Sequence, residues 1–386
     1  MRFRHPDGSI VHLAYCTNVH PAEDVDGIIA QLERFAGRVR SALGVGVLGV
    51  GLWIPAEAAA GLVGDDVALD RLREALAAQG LEVVTLNGFP YRGFHAPVVK
   101  RDVYVPDWTE DARLGYTLDL ARVLGALLPD DADEGTISTL PLAWRTPWDV
   151  GALAASRANL EELAGSLRSL AGETDVRIRV GLEPEPGCIV ETTGQATAVL
   201  RDVDPDWIGV CLDACHLAVQ FEEPGAAVEA LGDGGVPVVK AQVSSALRMA
   251  EPRSPESAEA LAAYAEPRFL HQTRERRNGG GVAGVDDLDE ALGGGLPGDA
   301  EWRIHFHVPV HAGGEQTTQP ELEATLAALV GGPTPRTHHL EVETYTWTVL
   351  PPDRRPTDEA GLVDALAHEL AWTREQLQGL GLEEVT

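Results

Sequence analysis

Basic residues are scarce in this chain: 30 Lys and Arg stand against 60 Asp and Glu, a formal net charge of −30. A surface of that sign repels phosphate backbones and anionic lipid, so a general nucleic-acid binder or membrane-surface protein is not expected. Lys100 and Lys240 are the only lysines, a skew that accompanies abundant Ala, Gly, Arg and Pro and carries no functional meaning by itself. Cysteine is also rare. Cys16, Cys188, Cys211 and Cys215 are too few in 386 residues for a disulfide framework. Long apolar runs are missing as well: the longest uncharged stretch, Ser41 to Ala56, is too short for a membrane span and is interrupted by four glycines and Pro55. His12, Asn18 and His20 break the one apolar stretch near the start, so no secretory signal is read there and a cytoplasmic protein is expected.

What is present is a globular composition, with 44% hydrophobic and 23% charged residues, arranged in a recurring pattern. Short β-branched runs alternate with stretches of helical periodicity. Residues 11–17 read as a strand, and Ile28, Leu32, Phe35, Val39 and Leu43 then recur at helical spacing. Further strands are predicted at 45–53, 82–89, 136–142, 177–183, 207–213 and 236–243, separated by helices at about 66–79, 110–128, 150–171, 193–201 and 223–231. Gly80 supplies a natural stop for the helix before it. An eighth strand at 339–345 and a helix at about 358–378 complete eight βα units, which predict an α/β protein built as a closed (β/α)8 TIM barrel. No GxGxxG follows the first strand, which argues against a dinucleotide-binding sheet and a nucleotide cofactor.

Between the seventh and eighth strands the plain alternation fails. Residues 250–300 are rich in Pro and Gly, Arg268, Arg274, Arg276 and Arg277 cluster nearby, and 302–308 forms another strand candidate. The whole chain, 1–386, is read as one barrel domain with an insertion or lid at about 248–310. The run 302–308 competes for a place in the barrel itself.

A barrel of this kind builds its site at the C-terminal ends of the strands. Strand five ends at Glu183, strand six at Asp213, strand seven at Gln242 and strand eight at Glu343. Three carboxylates brought together at a barrel mouth repel one another and lose solvation, and a shared divalent cation relieves both costs. Oxygen ligands alone favour Mn²⁺ or Mg²⁺, whereas added histidines favour Zn²⁺ or Fe²⁺. His305 and His307 lie on one face of their strand, a spacing that serves metal binding or a hydrogen-bond network, and His271 sits beside the arginine cluster. Lys240 shares the face of Gln242, as a catalytic base or a carboxylate partner, and Glu341 is expected as a buried structural residue two positions deeper than Glu343. Tyr15, Asn18, His20, Asn87 and Tyr91 fall near other strand ends. Cys188, Cys211 and Cys215 read either as a thiolate zinc site or as small buried hydrophobes.

The segments GVCLDACH (209–216), GLEPEPG (181–187) and LEVET (340–344) resemble strand-end motifs of the xylose isomerase-like TIM-barrel superfamily, which includes sugar isomerases, epimerases and endonuclease IV-type enzymes. YCTNVHP (15–21), VSSAL (243–247), FHVPV (306–310) and LEVETYTW (340–347) resemble, more narrowly, its Ebo-cluster metabolite-traffic proteins. The resemblance implies a metal set of Glu183, Asp213, Gln242 and Glu343, holding one divalent ion among Mn, Mg, Co, Fe and Zn. Many members carry His where this chain has Gln242, while hydroxypyruvate isomerase-like members carry Gln. It further implies that Glu183 and Glu343 exchange protons with substrate carbons, and that His216 contacts substrate oxygens as in the isomerases or binds zinc as in the nucleases. Lys240, His271, His305, His307, Tyr15, Asn18 and Asn87 join His216 as candidate substrate contacts. The expected partner is a small metabolite, with no nucleic acid and no membrane insertion, and a homo-oligomer is compatible with the sequence. Three activities follow: an isomerase or epimerase, a multi-zinc hydrolase of a phosphorylated substrate, and a non-catalytic metabolite-binding protein.

Overall fold

The computed structural model describes residues 1–277, 279–314 and 316–385. Eight parallel strands form its centre: β1 (Ile10–Cys16), β2 (Leu48–Trp53), β3 (Leu81–Asn87), β4 (Glu134–Thr139), β5 (Arg177–Leu182), β6 (Ile208–Asp213), β7 (Val238–Val243) and β8 (His339–Val342). Each pairs with the next in sequence. Strand β8 sets Leu340 opposite Ala241 of β7 and opposite Leu13 of β1, so the sheet closes and leaves no barrel edge unpaired. The (β/α)8 barrel read from the sequence is the observed fold.

The strands form where β-branched and aliphatic residues dominate, and period-two alternation divides their side chains between two environments. Val11, Leu13 and Tyr15 of β1 face the helices, and His12, Ala14 and Cys16 face the lumen. The lumen is polar for a barrel interior, with Thr136 Oγ1 bonded to Thr85 Oγ1 at 3.0 Å and to His339 Nδ1 at 2.6 Å. It is also tight: a Cβ on Gly51 would come within 1.5 Å of Glu341 Oε1, so the close approach of β2 to that side chain requires glycine.

Helices with local start and stop signals wrap the barrel. Asp65 caps Asp66–Gln79 by accepting from the amides of Val67 and Ala68, and Gly80 ends it in the left-handed region at φ 65°. Thr192 and Gln195 form a capping box on Thr193–Leu200. The final helix, Glu359–Gly379, returns against Gly37–Leu43. Among the described residues, no helix is long and apolar enough to cross a membrane.

The chain interrupts the βα alternation after β7. Strands Ser245–Met249, Thr273–Arg276, Val282–Val285 and Trp302–Val308 make a separate antiparallel sheet, and the helix owed to β7 arrives only at Gln319–Val330. Residues 302–308 therefore belong to the insert and not to the barrel. At the opposite end, Arg2–Arg4 lies antiparallel between β1 and Glu383–Val385.

Candidate active site

Strand register and strand-end hydrogen bonds place the four predicted residues at neighbouring strand ends. Asp213 closes β6 opposite Gln242 of β7. Glu183 follows β5 and donates its amide to Thr139 O at 2.9 Å, and the amide of Glu343 reaches Val243 O at 3.1 Å. One carboxylate oxygen from each of Glu183, Asp213 and Glu343 lies within 4.8 Å of the others, all in buried residues. Their hydrogen bonding is uneven. Glu343 Oε1 accepts from Asn18 Nδ2 at 2.7 Å and Asn87 Nδ2 at 2.8 Å, and Asp213 Oδ1 accepts from the His216 amide and the Ser244 hydroxyl, both at 2.8 Å. Glu183 Oε2, Asp213 Oδ2 and both amide atoms of Gln242 are buried with no protein partner.

Burial, followed by the nearby charges of Glu343, Asp213 and Glu185, pushes Glu183 well above the carboxylate range. Burial and Asp213 push Glu343 up to about 8. Like charges in a desolvated pocket ionise together only if a counter-charge joins them. Unpartnered oxygens of Glu183 and Asp213 beside a free amide oxygen are the donor chemistry of a divalent cation, so these residues fit the metal that the sequence predicts.

Next to this set stands a group that sequence reading captured only in part. His216 Nε2 lies 3.0 Å from His305 Nε2 and 3.0 Å from Glu185 Oε2. His307 donates from Nδ1 to the carbonyl of Glu343 at 2.8 Å, which leaves its buried Nε2 unpartnered at 3.9 Å from Asp213 Oδ2. Burial lowers His216 to about 4 and also carries His305 well below the ordinary imidazole range. Glu185 was not anticipated. It lies in the turn beyond β5, and the second glutamate of GLEPEPG was the signal available for it.

These groups open on a cavity of about 60 Å³ whose upper wall is apolar. Phe89, Phe94, Val103, Phe269, Leu270 and Tyr345 line it opposite the carboxylates and histidines. Two segments meet to form this roof, since the amides of Val99 and Lys100, from the loop after β3, both donate to Arg268 O of the insert. Lys100 Nζ pairs with Asp287 at 2.5 Å, and Arg101 and Arg145 both pair with Asp286.

Other predicted residues occupy different places. Lys240 is fully buried one layer deeper, against Glu341. Burial works to lower its pKa, but the Glu341 charge outweighs it and the ammonium is held in its charged form. Tyr15 turns outward to His20, 3.2 Å away, and His271 is held within the insert by Glu266 and the carbonyl of His305. Arg274 bonds Val285 O and Arg276 bonds Phe221 O, away from the cavity. All four cysteines are free and buried; among the described residues, Cys188, Cys211 and Cys215 do not converge, although Cys215 approaches His305 and His307.

Residues 39–265, more than half of the chain, match the family model described as xylose isomerase-like TIM barrel. Among solved structures, a D-psicose 3-epimerase with D-tagatose from Clostridium cellulolyticum H10 superposes with a TM-score of 0.53 at 13% identity, covering 95% of this chain and 99% of that one. An L-ribulose 3-epimerase gives 0.52 at 14% identity, over 96% and 95% of the two chains. A xylose isomerase-like TIM barrel protein from Mycobacterium smegmatis in complex with magnesium gives 0.51 at 14% identity, over 95% and 98%. No curated protein matches the sequence. Identities this low speak to the fold, while the family model matches the sequence itself across β2 to β7; the chain belongs to the xylose isomerase-like TIM-barrel family.

Proposed function

We propose that this protein is a divalent-metal-dependent isomerase or epimerase acting on a small polyhydroxylated or keto metabolite. The convergence of Glu183, Asp213 and Glu343 beside the strand that carries the unpartnered Gln242 amide, at a cavity with an apolar wall, carries the reading. Glu183, Asp213, Gln242 and Glu343 are the residues to hold the ion. A bound divalent cation polarises adjacent hydroxyl and carbonyl oxygens and so acidifies the C–H bond between them. Glu343, steadied by Asn18 and Asn87, and Glu183, with its free Oε2, are the groups to take and return that proton. His307 Nε2 and the Tyr345 ring offer contacts to substrate at the cavity wall, and the apolar residues facing them limit contact with water.

Epimerases of small ketoses share this fold, and the motif resemblance to the Ebo-cluster proteins points to a secondary-metabolite pathway. A phosphorylated substrate fits less well. Lys100 is the basic residue in the lining, and Asp287 already pairs with it, while Arg274 and Arg276 are committed elsewhere. We take the insertion at about 248–310 as a lid on a single barrel domain.

The test is hydrogen exchange at substrate carbon. Metal-replete protein incubated in D2O with a panel of ketopentoses and ketohexoses is expected to exchange a C–H next to the carbonyl, followed by NMR. Glu343→Gln is expected to slow this by about 10²–10⁴-fold. Saturable binding of a panel member without exchange or turnover would reject the reading and leave a binding protein.

A further inference from the structure

We propose that Glu369, a carboxylate buried in the final helix, is a positioning residue for Glu343, clamping the chain that leaves β8 to the chain that leaves the insert strand Trp302–Val308. The helix Glu359–Gly379 buries one stripe that includes Val363, Leu366, Leu370 and Leu377, and Glu369 stands in it with no exposed surface. An aliphatic side chain would serve packing there. A carboxylate instead gives up its hydration, which is tolerable only where its neighbours donate hydrogen bonds to it. Here they donate to both oxygens. Glu369 Oε1 accepts from the Val310 amide at 3.0 Å and from the Thr344 hydroxyl at 2.6 Å, and Oε2 accepts from the Trp347 indole at 3.0 Å.

The donors belong to two segments far apart in sequence. Thr344 is the residue after Glu343, whereas Val310 lies two residues past the strand that carries His305 and His307. One carboxylate oxygen therefore joins the neighbour of Glu343 to the exit of the insert. Two further bonds cross between the same segments: His307 donates from Nδ1 to Glu343 O at 2.8 Å, and the Thr346 hydroxyl donates to His307 O. Behind them, Gln319 Nε2 donates to Val310 O at 2.6 Å, so the far side of the clamp is itself held.

Glu343 needs this support because it lies one residue past β8, where the chain turns out of the sheet. Asn18 and Asn87 hold the tip of its side chain at Oε1, and the clamp holds its root. Tyr345, which lines the cavity, is fixed by the same carboxylate, since Thr344 and Trp347 bracket it. A displacement of about 1 Å at a group that must meet a substrate C–H costs on the order of 10²-fold in rate. What Glu343 does follows the proposed function, whereas the clamp stands on these bonds alone.

Thr344→Val tests it, because valine keeps the shape and removes the hydroxyl, with Thr344→Ser as the rescue. Glu369→Gln is the second variant: it keeps the side-chain length but turns one acceptor into a donor that faces another donor. With the ketose that the parent exchanges fastest in D2O, Thr344→Val and Glu369→Gln are expected to lower kcat for C–H exchange by about 10–100-fold while KM changes by less than about threefold. Thr344→Ser should return kcat to within about threefold of the parent. Amide exchange measured by mass spectrometry should rise together in residues 305–310 and 343–348 of both disrupted variants, with β2 to β5 as protected as in the parent. Raised amide exchange with a parental kcat would leave Glu369 a purely structural residue and overturn the proposal. So would a rise confined to one of the two segments, or none. If the parent exchanges no ketose of the panel, the proposed function fails by itself, and the joint or separate response of the two segments still upholds or overturns the clamp.

Discussion

Lys240 and Glu341 lie on adjacent strands with no exposed side-chain surface, one layer below the carboxylates. Two charges taken from water are costly, and their mutual attraction offsets that cost only while both are present. Lys240→Met should therefore destabilise the protein by about 3–5 kcal/mol, because Glu341 is left buried without its partner. The pair replaced together, Lys240→Met with Glu341→Met, should recover most of that loss in urea unfolding. Equal losses in the single and double variants would show that the pair is not an isolated buried unit. The partnership is legible at this scale, since Lys240 and Glu341 each sit two residues before a strand-end residue of the predicted set, on the same face. The four strand-end residues are legible for the same reason: period and spacing place them. Glu185 is not, because it follows Pro184 in a turn where no period sets the direction of a side chain. Gln272 and Tyr104 are likewise illegible, since they meet through a tertiary contact between the insert and a distant loop.

At the scale of elements, helices with a cap, a stop and an apolar stripe agree with their predicted bounds to within a few residues. Strand ends are less legible. The predicted strand 136–142 stops at Thr139, and Leu142 beyond it adopts a left-handed backbone at φ 71° that no strand continues through. Trp302–Val308 is buried at every position, so its pattern is that of a barrel strand, and only its antiparallel partners reveal the second sheet. Helix Gln319–Val330 was not anticipated, although Leu322, Leu326 and Leu329 carry its period. The roof joins the loop after β3 to the insert, and the loop after β4 reaches the same insert, through partly exposed ion pairs at Asp286 and Asp287. Pairs of that kind contribute about 0–1 kcal/mol each, so the roof is the part of the molecule most easily opened. Asp286→Asn, which removes both Arg101 and Arg145 as partners, should raise amide exchange in residues 94–104 and 266–272 by about two- to tenfold and leave the barrel strands unchanged. Unchanged exchange in both segments would show that backbone bonding to Arg268 alone holds the roof.

Over the whole molecule, the barrel itself is the most legible feature, because eight repeats of one pattern reinforce each other where any single strand is ambiguous. Less legible is how many ionisable groups this fold buries. His20 packs between the Tyr15 hydroxyl and the Phe35 ring, and burial, then the charges of His95 and Arg34, lowers it to about 3. Burial also lowers His95 to about 4 and carries His339 well below the usual range. Each binds a proton more tightly in the unfolded chain, where histidine titrates near 6.5. Their contribution to stability is therefore complete above about pH 6.5 and is lost as the pH falls toward their folded values. Glu369 opposes them: burial raises it to about 7, so between about 4.5 and 7 it favours the folded state at the acid end. The raised carboxyls of Glu183, Glu185 and Glu343 act in the same sense as Glu369, so the net pH dependence is a difference between opposing groups and is resolved one side chain at a time. Each histidine contributes a slope of about 1.4 kcal/mol per pH unit between its unfolded and folded values. His20→Gln should reduce the slope between pH 4.5 and 6 by about that amount, measured by urea unfolding at several pH values. An unaltered slope would mean that His20 takes up its proton without unfolding, and that the packing around it opens locally instead.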